Sequence, residues 1–302
     1  MNNRYVLLTA AKNEETYIGE TIASVLRQTV LPQAWFIMDD GSTDRTANII
    51  QDFARENPFI RLVKREAAVK RNFGAQYRAL QAGYELSRPL DFDFIGFQDA
   101  DIAPKSPEYY ESLLAKFRDK PRLGIAGGYV YERYAGAWRS REDNSEDSVA
   151  GGIQMFRRVC FEQIGGYIPL VYGGSDWLAQ LDARLAGWEA RAFPEFPAFH
   201  YRPTSSAEGK WRGLFRVGMM DASFGSALLF QGLKCVRRIW CRPLVLGALG
   251  RFSGYVWWRI SGRGLLIPPE KAAFLRREQM TKIRLWVRFG GRKPAAHHSS
   301  IT

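Results

Sequence analysis

Cysteine and histidine are scarce in this chain, with three of each among 302 residues. The odd cysteine count, at Cys160, Cys235 and Cys241, builds no disulfide framework, and the spacing fits no metal knuckle. A reducing, cytoplasmic compartment is the simplest expectation. Long apolar runs are missing as well. The opening "MNNRYVLLTAAKNEE" meets Lys12 and Glu14 too early for a secretory segment or a spanning helix. Further on, "PLVLGALGRFSGYVWWRI" is interrupted by Arg251 and dotted with glycine. The first strand-to-helix turn, "LLTAAKNEE", has no glycine, which excludes the Gly-x-Gly-x-x-Gly cradle of a dinucleotide oxidoreductase. Internal repeats and low-complexity runs are absent too.

What is present is a chain with 46% hydrophobic residues, enough to bury a large core in one domain or in one domain with an appendage. Its net charge of +12 is unevenly spread. Residues 1–199 hold 24 Lys and Arg against 27 Asp and Glu, a net of −3, whereas residues 200–302 hold 19 against 4, a net of +15. Two regions with different partners follow from that asymmetry, the basic one suited to anionic lipid or nucleic acid.

From Arg4 to about Pro104, short β-rich runs alternate with amphipathic stretches: "RYVLLTAA", "AWFIMDD", "FIRLVKR" and "FDFIGFQDAD" as strands, with helices between them. This pattern predicts an α/β fold with a mostly parallel sheet covered on both faces. Ligands of such sheets bind at the carboxyl ends of the strands. Three of those ends are polar, at Thr9 to Asn13, at Asp39 and Asp40, and at Asp99 and Asp101. After Gly124 the alternation breaks. "AWRSREDNSEDSVA" is expected to be a mobile lid, "SDWLAQLDARLAGW" a helix capped near Ser175, and the next strand is bounded by Pro194 and Pro197.

Each acidic pair has two readings. Asp99 and Asp101, two apart in a strand, point the same way, so they converge on one point and a divalent cation carrying a diphosphate would relieve their repulsion. Alternatively Asp101 caps the turn that follows. Asp39 and Asp40 either are solvated turn residues ahead of a Ser42 or Thr43 N-cap, or accept hydrogen bonds from a ribose or base while Arg71 balances the charge. Lys70 and Arg71 equally suit an ordinary helix surface.

The series "AAKNEETYIGETIASVLRQTVLPQAWFIMDDGSTDRT", "KRNFGAQ", "FQDAD", "GGIQMFRR", "IGGY" and "SDWLAQLDARLAGW", followed by His200, resembles family 2 glycosyltransferases of the GT-A fold over about residues 4–201. The resemblance implies a catalytic domain at 1–205 and inverting, metal-dependent hexosyl transfer from a nucleoside diphosphate sugar, with a UDP-sugar preferred. It implies that Thr9, Ala10, Ala11, Glu14, Asp39, Asp40, Lys70, Arg71 and Asp99 surround the nucleotide sugar. Asp101 and His200 would hold Mn²⁺ or Mg²⁺, and Asp176 would be the catalytic base. Ser175 stands where the family commonly has Glu, and Asp182 where it has Arg, so a helix cap at Ser175-Asp176 competes with the base. His200 is either a packed core histidine or a ligand; as a nitrogen donor it suits Mn²⁺ better than Mg²⁺.

Residues 206–302 interleave arginine with Trp240, Tyr255, Trp257 and Trp258, a pattern that predicts basic amphipathic helices at a membrane surface. A saccharide or lipid-linked acceptor would be met there, on an enzyme peripheral to the inner face of the cell membrane, with no nucleic acid expected as partner. A processive polysaccharide synthase would carry Gln-x-x-Arg-Trp and several spanning helices, neither of which is visible. A nucleic-acid-binding protein would explain the basic region and leave the acidic crevice unexplained.

Overall fold

The computed structural model describes residues 4–66, 73–134, 136–202, 209–238 and 245–288. The described residues divide into two compact units, one ending at residue 202 and the other beginning at residue 209. In the first unit the expected alternation is present as β1 (Tyr5–Ala11), α1 (Ile18–Leu26), β2 (Ala34–Asp39), α2 (Thr46–Glu56), β3 (Ile60–Lys64), α3 (Phe73–Ser87) and β4 (Phe94–Gln98). It continues with β5 (Ile102–Pro104), α4 (Tyr109–Asp119), β6 (Leu123–Tyr134), β7 (Ala137–Ser140), β8 (Ile153–Arg157), α5 (Arg158–Gln163), α6 (Ser175–Leu185) and β9 (Glu189–His200).

Among the described residues nine strands form one sheet in the order β3-β2-β1-β4-β8-β6-β9-β5, with β7 beside β6. The β3-β2-β1-β4 half is parallel. Strand β8 runs against both β4 and β6, whereas β9 follows β6. Because β5 and β7 also run antiparallel to their neighbours, six of the nine strands share one direction. Successive residues of a strand face opposite sides. Tyr5, Leu7, Trp35 and Ile37 accordingly enter one core cluster, and Val6, Leu8, Phe36 and Met38 the other. Each large side chain fully buried this way contributes about 1.5–3 kcal/mol. Register then aligns Ala11, Asp39 and Lys64 along one edge, the carboxyl ends of β1, β2 and β3.

Three local expectations are corrected. Strand β9 runs through both Pro194 and Pro197. Its pairing with β6 jumps from Phe193 to Pro197, because a proline has no N–H to give the ladder. Gly128 permits the close approach there, since a Cβ would stand 1.7 Å from the Phe196 carbonyl oxygen. The charged segment expected to be a lid is pinned instead. Residues 137–140 pair with β6, the Asn144 amide brackets the Val130 backbone at 2.7 and 3.2 Å, and Glu146 bonds the Ala192 N–H. Neither Ser42 nor Thr43 caps α2, which starts at Thr46 with the Asp44 carboxylate accepting from the Thr46 N–H at 3.0 Å.

The second unit contains α7 (Lys210–Ser223), α8 (Leu228–Arg237), α9 (Leu246–Ile260) and α10 (Pro269–Arg288). Helices α7 and α9 touch backbone to backbone. A Cβ on Gly218 would lie 1.9 Å from the Arg251 carbonyl oxygen, and one on Gly254 the same distance from that of Phe215. Asp221 ties three helices together, accepting from Lys234 at 3.3 Å and from Arg251 at 2.9 Å. Trp240, Cys241, His297 and His298 lie outside the described residues.

Candidate active site

Two loops at the carboxyl edge of the sheet form the first wall. Asn13, in the left-handed region at φ 56, donates its N–H to Ser42 Oγ and accepts from the Thr43 N–H at 2.9 Å. Glu14 N–H bonds Thr46 Oγ1 at 2.7 Å, Glu15 N–H bonds Asp44 at 3.2 Å, and Arg45 N–H bonds Glu15 at 3.0 Å. Asp39 and Asp40 sit inside this stitched rim, both buried. Asp39 Oδ1 accepts from the Ser42 N–H at 3.1 Å, and Arg65 stands 3.6 Å from Asp40. Ala10 and Ala11 end β1 beside them, with Ala11 paired to Asp39. Thr9 shares the core-facing side of Tyr5 and Leu7; it is fully buried and its hydroxyl accepts from Trp35 Nε1 at 3.0 Å.

The second wall is the turn of Ala150, Gly151 and Gly152. Gln180 clamps it from α6, bonding both N–H and C=O of Val149 at 2.8 and 3.0 Å, and Gln154 adds a bond to the same carbonyl. Consecutive glycines carry the carboxylates of two distant segments. A Cβ on Gly151 would fall 2.5 Å from Asp176 Oδ2, and one on Gly152 would fall 2.5 Å from Asp99 Oδ2. The first turn of α3 braces both acids. Gln76 Nε2 donates to Asp99 Oδ1 at 2.7 Å, and the buried Tyr77 faces Asp176, whose rise in pKa it opposes.

Crowding leaves an electrostatic imprint. Burial first, then the Asp101 charge, pushes the Asp99 carboxyl up to about 7, with Asp176 and Glu14 adding to the rise and His200 opposing it. Burial also raises Asp176, against the N–H groups of Trp177 and of Asp176 itself and the charge of Arg141. Ser175 does not cap α6. Its hydroxyl is fully buried and accepts from the Leu170 N–H at 3.0 Å, while Gly174 precedes the helix in the left-handed region.

Asp99 and Asp101 converge by a turn rather than by strand periodicity, since β4 ends at Gln98 and β5 begins at Ile102. Register then delivers a histidine. Ile102 pairs with His200, and His200 with Glu132 of β6, so the three lie in one row. His200 Nε2 is 3.5 Å from Asp101, and Nδ1 is 3.2 Å from the buried Glu132 carboxylate. Burial would lower the imidazole pKa, yet its bonds to Asp101 and Glu132 raise it to about 9. Asp101, which burial would raise, is held below its usual value by His200 and by Arg202 at 3.0 Å. Arg202 also bonds Glu14 and thereby joins the two walls.

Glu14, Asp101 and His200 are thus linked through Arg202 and each other, Asp99 and Asp176 meet at consecutive glycines, and Asp39 and Asp40 lie at the same carboxyl edge of the sheet, whereas Lys70 and Arg71 lie outside the described residues. Gln76, Tyr77, Glu132, Gly151, Gly152 and Arg202 are additions that the sequence reading missed. Among the described residues no three His, Cys, Asp or Glu side chains are gathered as a metal cage. Asp101 and His200 are engaged with each other, with Arg202 and with Glu132; they become one oxygen and one nitrogen donor for a divalent cation, completed by diphosphate oxygens and water, once the imidazole gives up its Nε2 proton.

An acidic hollow at the carboxyl edge of a mostly parallel sheet, closed by an antiparallel strand return, is the arrangement of GT-A glycosyltransferases. The glycosyl transferase family 2 profile matches residues 7–169, more than half of the chain, and the chain belongs to that family. Poly-β-1,6-N-acetyl-D-glucosamine synthase of Staphylococcus aureus (strain COL) is 32% identical over 121 residues, which cover 40% of this chain and 27% of that protein. The chain therefore matches about a quarter of the length of this curated relative. The mannosyltransferase PcManGT from Pyrobaculum calidifontis, solved with GDP-Man and Mn²⁺, shares the fold at 16% identity and TM-score 0.53, covering 95% of this chain and 83% of that one. TarS of S. aureus, solved with UDP-GlcNAc, does so at 13% identity and TM-score 0.56, covering 99% of each chain.

Proposed function

We propose that this chain is an inverting, metal-dependent hexosyltransferase. It moves a sugar from a nucleoside diphosphate sugar, UDP-linked by preference, to a hydroxyl of a saccharide or lipid-linked acceptor. The observation that carries this reading is the placement of Asp99 and Asp176 on neighbouring glycines of one turn, with Asp101 and His200 alongside. Asp39 and Asp40 accept hydrogen bonds from ribose or base, beside Ala10, Ala11 and Glu14, while Lys70 and Arg71 serve the diphosphate. Thr9, with its hydroxyl committed to Trp35, fixes the floor under them. Asp176 takes the acceptor hydroxyl proton as that oxygen bonds the anomeric carbon, and the bond to the diphosphate breaks on the opposite face. Its burial-raised pKa makes it a stronger base than an exposed aspartate. A divalent cation held by Asp101 and His200 would supply charge stabilisation for the leaving diphosphate.

The ligands of the structural relatives, UDP-GlcNAc and GDP-Man, support a sugar-nucleotide donor, and the synthase relative supports a role in glycan assembly. The +15 of residues 200–302 supports attachment to an anionic membrane surface, which the proposal sets at the inner face of the cell membrane; nucleic acid is not a partner in this reading. The test is thermal unfolding with a panel of sugar nucleotides, each with and without Mn²⁺. A true donor at about 100 times its Kd adds about 2.7 kcal/mol of stability. Asp176→Asn should then abolish transfer and keep donor affinity. If no sugar nucleotide stabilises the chain, or transfer survives in that variant, the proposal fails.

A further inference from the structure

The second unit holds polar groups inside and large apolar ones outside. Asp221, Lys234 and Arg251 form an ion cluster in which Arg251 is buried and Asp221 and Lys234 are partly so. Fully or nearly buried Gln231, Gln279 and Ser226 lie in the same unit, with the Gln279 amide bonding Ser226 Oγ at 2.8 Å. Large apolar side chains face out instead. Among the described residues, 15 of the 22 exposed large hydrophobics belong to this smaller unit.

They are not scattered. On α9, Leu246, Leu249, Phe252, Trp257 and Ile260 are exposed, Leu249 by 50% and Ile260 by 76%. At 100° per residue these positions and Val256 fall on one side of the helix. Ser253 is the polar residue inside that arc, and Arg259 stands at its margin. The opposite side, with Gly250, Arg251, Gly254, Tyr255 and Trp258, is the buried one. Helix α8 repeats the pattern, with Leu228, Leu229 and Val236 exposed and Arg237 at the edge. A contiguous outward face of large apolar side chains is suited to a surrounding that is itself apolar.

From this we propose that the outward faces of α8 and α9 insert into the headgroup–acyl boundary of an anionic bilayer, with Arg237, Arg259 and Arg263 collaring them at phosphate level. The inference rests on the membrane part of the reading above and changes its physics: apolar insertion holds the chain, and charge guides it there. Helix α9, at 15 residues, is about 22 Å long, short of the roughly 30 Å hydrocarbon core, so it lies in the plane of the interface. No helix among the described residues is long and apolar enough to cross a membrane. A second copy of the chain is a poor occupant of this face, because it would set +15 against +15.

Flotation of the full chain with phosphatidylcholine vesicles containing phosphatidylglycerol tests this. Wild type should stay bound in about 1 M salt, where screening reaches about 3 Å and surface attraction is gone. Leu249→Asp with Ile260→Asp, both at exposed positions, should cut partitioning at that salt on the order of 100-fold while attachment at low salt remains. Complete release of wild type by salt, or equal salt resistance in the double variant, overturns insertion and leaves electrostatic attachment standing. Absence of flotation at low salt removes both membrane readings. Sedimentation showing a dimer that the double variant dissolves, with no vesicle binding, would assign the face to a second copy and overturn the proposal. Sugar-nucleotide stabilisation is read separately, so a failure of the donor reading is not mistaken for either result.

Discussion

Gly151→Ala and Gly152→Ala form a matched pair that separates the two carboxylates by one residue of sequence. Neither glycine occupies the left-handed region, so alanine fits the backbone and the effect is steric. At position 151 the new carbon would stand 2.8 Å from Cβ and Cγ of Asp176, where ordinary contact begins near 3.4 Å. Cβ is not a flexible tip, so α6 or the turn must give by about 0.6 Å; a 1 Å misplacement in an active site costs about 100-fold, which puts the loss in kcat at about 10- to 100-fold. Overpacking of this kind destabilises by about 1–3 kcal/mol, which a thermal melt registers while the protein stays folded at assay temperature. At position 152 the clash is with the tips of Asp99 and Ile102, both at 2.5 Å, so the donor side is disturbed and KM for the sugar nucleotide should rise more than kcat falls. Initial rates across donor concentration, with calorimetric donor affinity for each variant, distinguish the two. A folded Gly151→Ala with wild-type kcat, or the same kcat and KM pattern in both variants, would refute the assignment of the turn.

Burial raises the Asp176 pKa, and the carboxylate is a base only above that value, so kcat at saturating donor should fall on acidification at a higher pH than for an exposed aspartate. An acid limb at about 4 or below contradicts this. Glu132→Gln weakens the bond that aims His200 Nε2 at Asp101, and Mn²⁺ affinity by isothermal titration should drop about 10- to 100-fold with metal-free nucleotide binding unchanged. Equal Mn²⁺ affinity in the variant rejects Glu132 as the orienting group. Asp221→Asn leaves the buried Arg251 and the part-exposed Lys234 without their shared carboxylate and should cost about 1–3 kcal/mol in denaturant unfolding. Because Lys234 and Arg251 hold Asp221 below its usual pKa against burial, its contribution is present above the unfolded-state value and is lost as pH falls through the depressed one. A change of about 0.5 kcal/mol, typical of a surface site, would show that the cluster does not hold the helices.

The parallel half of the sheet is legible in the sequence because strand and helix periods differ, and its polar strand ends point to the edge where Asp39, Asp99 and Asp101 lie. Thr9 shows what parity adds. It shares a face with Tyr5 and Leu7, which are core, so its side chain belongs under the site rather than in it. Helix α4 has no counterpart in the sequence reading, although Tyr109, Tyr110, Leu113, Leu114 and Phe117 keep a helical spacing. Glu132 and Arg202 were beyond reach for a different reason. Both depend on the register of β6 against β9, and that register includes a three-residue slip that no local pattern announces. Gln76 and Tyr77 sit within or beside the quoted "KRNFGAQ", yet their partners lie 23 and 99 residues away in sequence. In the second unit Arg251 stands in the sequence only as an interruption of an apolar run; it is buried on Asp221, where glycines let α7 and α9 meet without large apolar side chains between them.

Under the proposed function, the mutual hold of the loops around Asn13 and Ser42 bears on how a donor would be chosen. A wall assembled before the nucleoside arrives spends none of the binding free energy on ordering itself. It also does not yield to a base of another outline. Conversion of the protein to a different nucleotide class would therefore require new side chains on that frame; loosening it would lower affinity for every donor alike.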